Sequence, residues 1–230
     1  IYVGEFKNDM RHGKGTITLP DGEKYVGDFQ NDMRNGYGIN IWPSGHKYDG
    51  EWRNDMRYGH GTSTLATGEK YVGEFIDNKY HGFANLTLPD GEKYVGEFQN
   101  NMRNGQGINI WPSGHKYVGD FLNDKRNGEG ILTYSGAIYE GIFRNDDFIK
   151  SQKVRNVERD ILYRAENERK KLRYIDENKM YAEKEENRKQ ADKERKKQQA
   201  DKERKKHEEK KRALRELESK KITLAMGSGF

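Results

Sequence analysis

Cysteine is absent from the 230 residues. Disulfides, thiolate nucleophiles and Cys-type zinc sites are thereby excluded, while the redox compartment is left open. Proline is scarce, at 4 residues, which argues against a proline-rich disordered linker. No apolar run approaches the roughly 18 residues that a membrane-spanning helix needs. Apolar residues are 32% of the chain against 35% charged, and the mean hydropathy is −1.22. That is thin material for a conventional globular core. Catalytic signatures are also missing. The chain holds no His-Glu-x-x-His, no Gly-x-x-x-x-Gly-Lys-[Ser/Thr] phosphate loop and no Gly-x-Ser-x-Gly elbow. None of the six histidines stands at metal-ligand spacing from another. No active site, metal or cofactor is expected.

What charge there is divides unevenly. Residues 1–149 carry 21 acidic and 16 basic side chains, and residues 150–230 carry 27 basic and 17 acidic. The basic pI of about 9.0 therefore belongs to the tail.

The dominant feature is a period. Tyr-x-Gly-[Glu/Asp]-[Phe/Trp] begins at Tyr2, Tyr25, Tyr48, Tyr71, Tyr94 and Tyr117, at steps of 23 residues, and returns after 22 at Tyr139 with Ile142 in the acidic position. A fixed period in this range denotes stacked copies of one small unit. In the unit from Tyr25 to Lys47, Tyr25, Gly27 and Phe29 share one face of a strand, and Val26 and Asp28 face the other way. Asn31-Asp32 suits a turn with left-handed backbone. Gly36 and Gly38 lead to a second short strand, Ile39 to Trp42, and Pro43-Ser44-Gly45 closes the next turn. Each unit therefore reads as a β-hairpin. One hairpin is not stable alone, so the core is expected to run along the array. Its columns are the aromatic residue of the motif, the glycine two residues before it, and a second apolar position that is Trp at Trp42 and Trp111. The glycines are expected to admit an aromatic ring from the neighbouring unit. Residues 20–48 and 89–117 are nearly identical, an offset of three units.

Tyr25-Val26-Gly27-Asp28-Phe29 followed by Asn35-Gly36-Tyr37-Gly38 resembles the MORN (membrane occupation and recognition nexus) repeat. The resemblance extends over residues 1–146. The fourth unit departs from it, with Phe83-Ala84 where others have x-Gly. The family implies an elongated, curved antiparallel sheet with an aromatic-lined concave groove, and attachment to protein or lipid, often beside a separate catalytic domain.

The fold class expected is mostly β: a hairpin array over 1–146 followed by a long α-helical tail. Within the tail, Val154, Val157, Ile161, Ala165, Leu172 and Ile175 mark an amphipathic helix, assigned to 147–182. Asn145-Asp146-Asp147 is its expected cap, and its expected role is to cover the open end of the array, with docking in the groove or dimerisation as the alternatives. Residues 183–221 read as a charged single helix or spacer, with opposite charges four apart and no sustained apolar seam. Residues 222–230 end in Gly227-Ser228-Gly229-Phe230, which resembles the opening strand of HtrA-type trypsin-like peptidases and implies the start of a truncated domain.

The functional expectation is a non-enzymatic scaffold. Tyr25, Tyr48, Tyr71, Tyr94, Tyr117, Trp42 and Trp111 are the candidate groove residues, and an amphipathic helix of a partner protein is the expected occupant. The alternatives are the recognition arm of a serine peptidase, and a membrane tether in which Arg169, Lys170 and Lys171 meet anionic lipid. Nucleic acid is disfavoured, since acids are mixed through the tail and no stacking aromatics lie between Tyr181 and Phe230. Pairing of two copies stays open. So does the compartment: cytoplasmic by default, with the periplasm or secretion as alternatives because the chain opens inside a repeat at Ile1.

Overall fold

The structure, a computed structural model, describes residues 1–167, 169, 170, 173, 202, 204 and 211. Two compact units divide the chain, Ile1–Leu172 and Arg173–Phe230. The first contains a single 14-stranded sheet in which every strand pairs antiparallel with its sequence neighbours. Strands β1 (Tyr2–Lys7) and β2 (Met10–Thr18) form the first hairpin, β3 (Lys24–Gln30) and β4 (Met33–Ile41) the second, and β5 (Lys47–Arg53) and β6 (Met56–Thr64) the third. The series continues through β7 (Lys70–Ile76), β8 (Lys79–Thr87), β9 (Lys93–Gln99), β10 (Met102–Ile110), β11 (Lys116–Leu122), β12 (Lys125–Tyr134), β13 (Ala137–Arg144) and β14 (Asp147–Ser151).

Two kinds of turn set this register. Within each hairpin a two-residue Asn-Asp-type turn has both residues at positive φ, as at Asn31 (50°) and Asp32 (68°), joining Gln30 directly to Met33. Such a turn matches the twist of antiparallel strands, and Asn and Asp tolerate its backbone. β12 joins β13 through the two-residue turn Ser135-Gly136, and between the other hairpins the chain makes a longer loop. There Leu19 N–H donates to Glu23 O, Gly22 N–H donates to Leu19 O, and the Asp21 carboxylate accepts from Glu23 N–H.

A bulge interrupts each of the first six hairpins just past the tyrosine strand's second glycine partner. Opposite Asp28, the backbone at Gly36 turns to φ 107°, a conformation that favours glycine. The Asp28 carboxylate accepts from Tyr37 N–H at 2.9 Å and holds that bulge. Glu5, Glu51 and Asp120 do the same for Lys14, His60 and Glu129. The acid of the repeat motif is thus a backbone anchor.

Asn145 and Asp146 form the last of the two-residue turns, so residues 147–151 are strand β14 and not the beginning of a helix. A helix, α1, runs over 158–167, and its start is held by the Asn156 carboxamide, which accepts from Glu158 N–H. Residues 169, 170 and 173 are also helical. Of the spacer expected over 183–221, only 202, 204 and 211 are described, and they are helical. The Gly-rich end at 222–230 lies outside the described residues.

α1 does not cover the end of the array. Its Val157, Ile161 and Ala165 pack on Phe83, Val95, Ile108 and Val118, on the face of β8–β11 opposite the tyrosines. Lys116 pairs with Glu158 at 2.9 Å and Arg164 with Glu97 at 2.6 Å. Arg164 also lies 4.7 Å from the Phe83 ring. The reason for this choice is in the sequence: the position of Phe83 is Lys14, Tyr37, His60, Gln106 and Glu129 in the other units. Only the fourth unit offers a wholly apolar side chain there; the aromatic Tyr37 carries a hydroxyl that bonds to Asp49. Phe83→Lys is therefore expected to release α1 at a cost of roughly 2–3 kcal/mol. Hydrogen exchange would then rise over 158–167 while the sheet keeps its protection.

Candidate functional site

The sheet has two faces of different character. On the first, here the Tyr face, Tyr25, Tyr48, Tyr71, Tyr94 and Tyr117 are 0–2% exposed, and Phe29, Trp52, Phe75, Phe98, Phe121 and Phe143 are buried beside them. Each tyrosine meets the aromatic of its own hairpin edge-on, and the aromatic of the next hairpin likewise. Tyr48 lies 5.1 Å from Trp52 and 5.0 Å from Phe75, and Tyr94 lies 5.1 Å from Phe98 and 5.2 Å from Phe121. This edge-to-face ladder joins every unit to the next, each contact contributing about 0.5–1.5 kcal/mol beyond burial.

The ladder corrects the sequence reading of the five tyrosines as groove contacts. They are core. Their hydroxyls remain satisfied because each donates to the carbonyl three residues on, as Tyr25 to Asp28 O at 2.9 Å and Tyr48 to Glu51 O at 2.9 Å. Burial pushes all five phenols well above the ordinary tyrosine value. The glycine columns admit a ring from their own hairpin, not from the neighbouring unit: a Cβ on Gly38 would lie 2.3 Å from the Tyr25 hydroxyl.

A column that the sequence reading passed over covers the ladder. Arg34 stands 4.2 Å from the Trp52 ring centroid and 5.8 Å from that of Tyr25. Its Nε and backbone N–H both donate to the Asp55 carboxylate in the next hairpin's turn, and Asp55 N–H donates back to Arg34 O. Arg11–Asp32, Arg103–Asp124 and Arg126–Asp146 repeat this clip. At Asp32 the Arg11 backbone N–H, then its side chain, holds the carboxyl below the usual carboxylate range. In the fourth unit Tyr80 replaces the arginine and stacks on Tyr71 at 3.7 Å. The arginines could have been found, since they recur with the period. Their partners lie one unit away, which no pattern within a unit displays.

Over this floor lie recurring depressions. One is bounded by Arg11, Leu19, Glu23, Tyr25, Arg34 and Asp55, with a volume of about 220 Å³. Another, three units on, is bounded by Leu86, Leu88, Glu92, Tyr94, Arg103 and Asp124, with a volume of about 200 Å³. A third, of about 320 Å³, adjoins it and holds Trp111, His115, Phe121, Arg126, Leu132 and Tyr134. The two tryptophans predicted for a groove both lie half-buried on this face. Their surroundings differ in spite of identical local sequence. His46 stacks on Trp42 at 4.3 Å and bonds to Ser63 at 2.8 Å. His115 instead packs on Tyr134 at 4.0 Å, so Trp111 lacks the stacked histidine that covers Trp42. Burial lowers the His46 imidazole below the ordinary histidine value, with Arg57 adding to the effect.

The second face carries Val3, Val26, Val72, Val95 and Val118 with the bulge-anchoring acids, and it receives α1. Of the basic residues expected to meet lipid, Arg169 and Lys170 are exposed, and Lys170 pairs with Glu166 at 3.0 Å. Lys171 lies outside the described residues. Among the described residues no group of three His, Cys, Asp or Glu could hold a metal ion, and no helix is long and apolar enough to cross a membrane.

The MORN repeat family model matches residues 2–24, 25–47, 48–70, 71–93, 94–116 and 117–136. The chain belongs to the MORN repeat family. Six matched units cover most of the hairpins described above, and β13 and β14 continue the sheet beyond the last match. No curated protein matches the chain. A solved structure to which the fold is similar is the SAS-4 (dCPAP) TCP domain in complex with a proline-rich motif of Ana2 (dSTIL) of Drosophila melanogaster. It is 13% identical, over 56% of this chain and 84% of that one, with a TM-score of 0.31. A likeness that distant says nothing about the partner of this MORN array. Membership of the family suggests an interaction module for protein or membrane.

Proposed function

We propose that this MORN array is a non-enzymatic scaffold that binds a protein segment along its Tyr face. The observation that supports this most is the asymmetry of the sheet. α1 and its ion pairs occupy the second face at β8–β11, whereas depressions with aromatic floors recur along the Tyr face. The contacting residues are not the tyrosines but those above them: Trp111, Tyr134, Leu88 and Leu19, with Trp42 partly covered by its histidine. Concave, mostly apolar sites with a few placed polar groups are where protein surfaces bind their ligands. The peptidase arm draws on residues outside those described.

The test is affinity capture by the full chain, quantified by mass spectrometry, comparing three forms. Wild type and Val26→Ala are expected to retain the same partners. Trp111→Ala combined with Leu88→Ala is expected to lose them at least about tenfold, as truncated contact residues do. Unchanged capture by the double variant, with flotation on phosphatidylserine vesicles lost on deleting residues 150–230, would favour the membrane tether instead.

A further inference from the structure

We infer that the segment bound on the Tyr face is a polyproline II stretch whose anchoring side chains recur every third residue, seated in the two adjoining depressions at Arg103. This rests on the reading that the Tyr face binds a protein segment. The depressions at Leu88–Tyr94 and at Trp111–Tyr134 share Arg103 and Asp124 as their common wall. They lie one repeat apart, which is two strand spacings, or about 9.6 Å. A segment running along the array crosses the strands, so it must present side chains to the same side at that interval.

Chain geometry then selects the conformation. Polyproline II has three residues per turn, so residues i and i+3 face the same way about 9.3 Å apart. An extended strand puts i and i+3 about 10 Å apart but on opposite faces. An α-helix reaches about 9 Å at i+6, which faces away, and about 10.5 Å at i+7. The amphipathic helix expected from sequence is the poorer match, and its error grows with every unit spanned.

The chemistry of the walls agrees. The half-buried Trp111 indole lacks the stacked histidine that covers Trp42, and its ring N–H has no hydrogen-bond partner among the described residues. A flat ring suits a pyrrolidine, and the N–H suits one of the carbonyls that a polyproline II backbone leaves unpaired. Arg103 and Arg126 are already engaged by Asp124 and Asp146, and Glu92 adds a further acid beside Arg103. These walls oppose an acidic segment and favour one with basic residues between the anchors.

Fluorescence anisotropy of labelled synthetic peptides against the full chain tests this. The probes are a Pro-x-x repeat peptide with Leu and Lys at x, a peptide of the same composition with prolines at alternating spacings of two and four, and a Leu/Lys amphipathic helix. The period-three peptide is expected to bind at least about tenfold tighter than the other two. Trp111→Ala should lose about tenfold, Trp111→Phe should lose less, and Val26→Ala on the second face should change binding under about twofold, with circular dichroism unchanged in all three. Equal binding of the two proline peptides, or tighter binding of the helix, overturns the period-three inference and leaves the Tyr-face reading standing. If no peptide binds while captured partners still depend on Trp111 and Leu88, the inference alone falls. If partners depend on neither residue, both fall.

Discussion

Alanine at Gly50 is expected to cost roughly 3 kcal/mol or more and to divide the array at its third hairpin. A Cβ there would sit 2.6 Å from Gly61 Cα and 2.8 Å from His60 O, both backbone, and 2.7 Å from the Tyr48 hydroxyl. The two backbones are paired across β5 and β6 and cannot separate without breaking the ladder. The chain supplies its own control at the facing column. Ala84 stands where other units have glycine, and there Tyr71 has moved: its ring stacks flat on Tyr80 and its hydroxyl also donates to His81 O at 3.0 Å. One methyl on that column is absorbed by moving a side chain, whereas one at Gly50 presses on main chain. Ala84→Gly should therefore cost only about 0.5–1 kcal/mol. Urea unfolding followed by tryptophan fluorescence compares the two. A Gly50→Ala midpoint equal to wild type would contradict the close packing of the paired glycines.

Above about pH 10 the array is expected to lose stability steeply. The five ladder phenols are held protonated by burial, so their pKa values in the folded chain lie above those in the unfolded chain. Their contribution is fully present below the unfolded value. As pH rises past it, the unfolded state binds fewer protons than the folded one, and the free energy of unfolding falls. Each such group adds about 1.4 kcal/mol per pH unit, so five acting together give an abrupt alkaline transition. Phenolate absorbance read beside circular dichroism checks this. The five ladder tyrosines should ionise only as the sheet unfolds, so part of the phenolate signal should appear together with the loss of circular dichroism. Titration of all tyrosines near pH 10 in a folded chain would contradict the burial of the ladder.

The hairpins were legible because both of their determinants are local. A period-two face with Tyr, Gly and Phe, followed by Asn-Asp, specifies a strand, a left-handed turn and a return strand without reference to any other unit. The role of the tyrosines was not legible. A phenol reads as an amphipathic contact residue, and only the bulge opposite Asp28 brings a carbonyl of the same strand under the hydroxyl of Tyr25. Phe83 was visible as a departure, but its meaning depends on a helix some 75 residues later that needs an aromatic patch. The difference between Trp42 and Trp111 could not be read, since their surrounding segments are the same. It arises from the next unit, where Ser63 shares a hydrogen bond with His46 and Tyr134 packs on His115.

Site-specific photo-crosslinking of the full chain in its native extract addresses the Tyr-face reading most directly. A benzophenone side chain at Tyr134, half-exposed at the rim of the Trp111 depression, is compared with one at Val26 on the second face. Adducts to a defined protein segment from position 134 and none from position 26, competed by the period-three proline peptide, are the expected result. Adducts from position 26 alone would place the partner on the other face and contradict it.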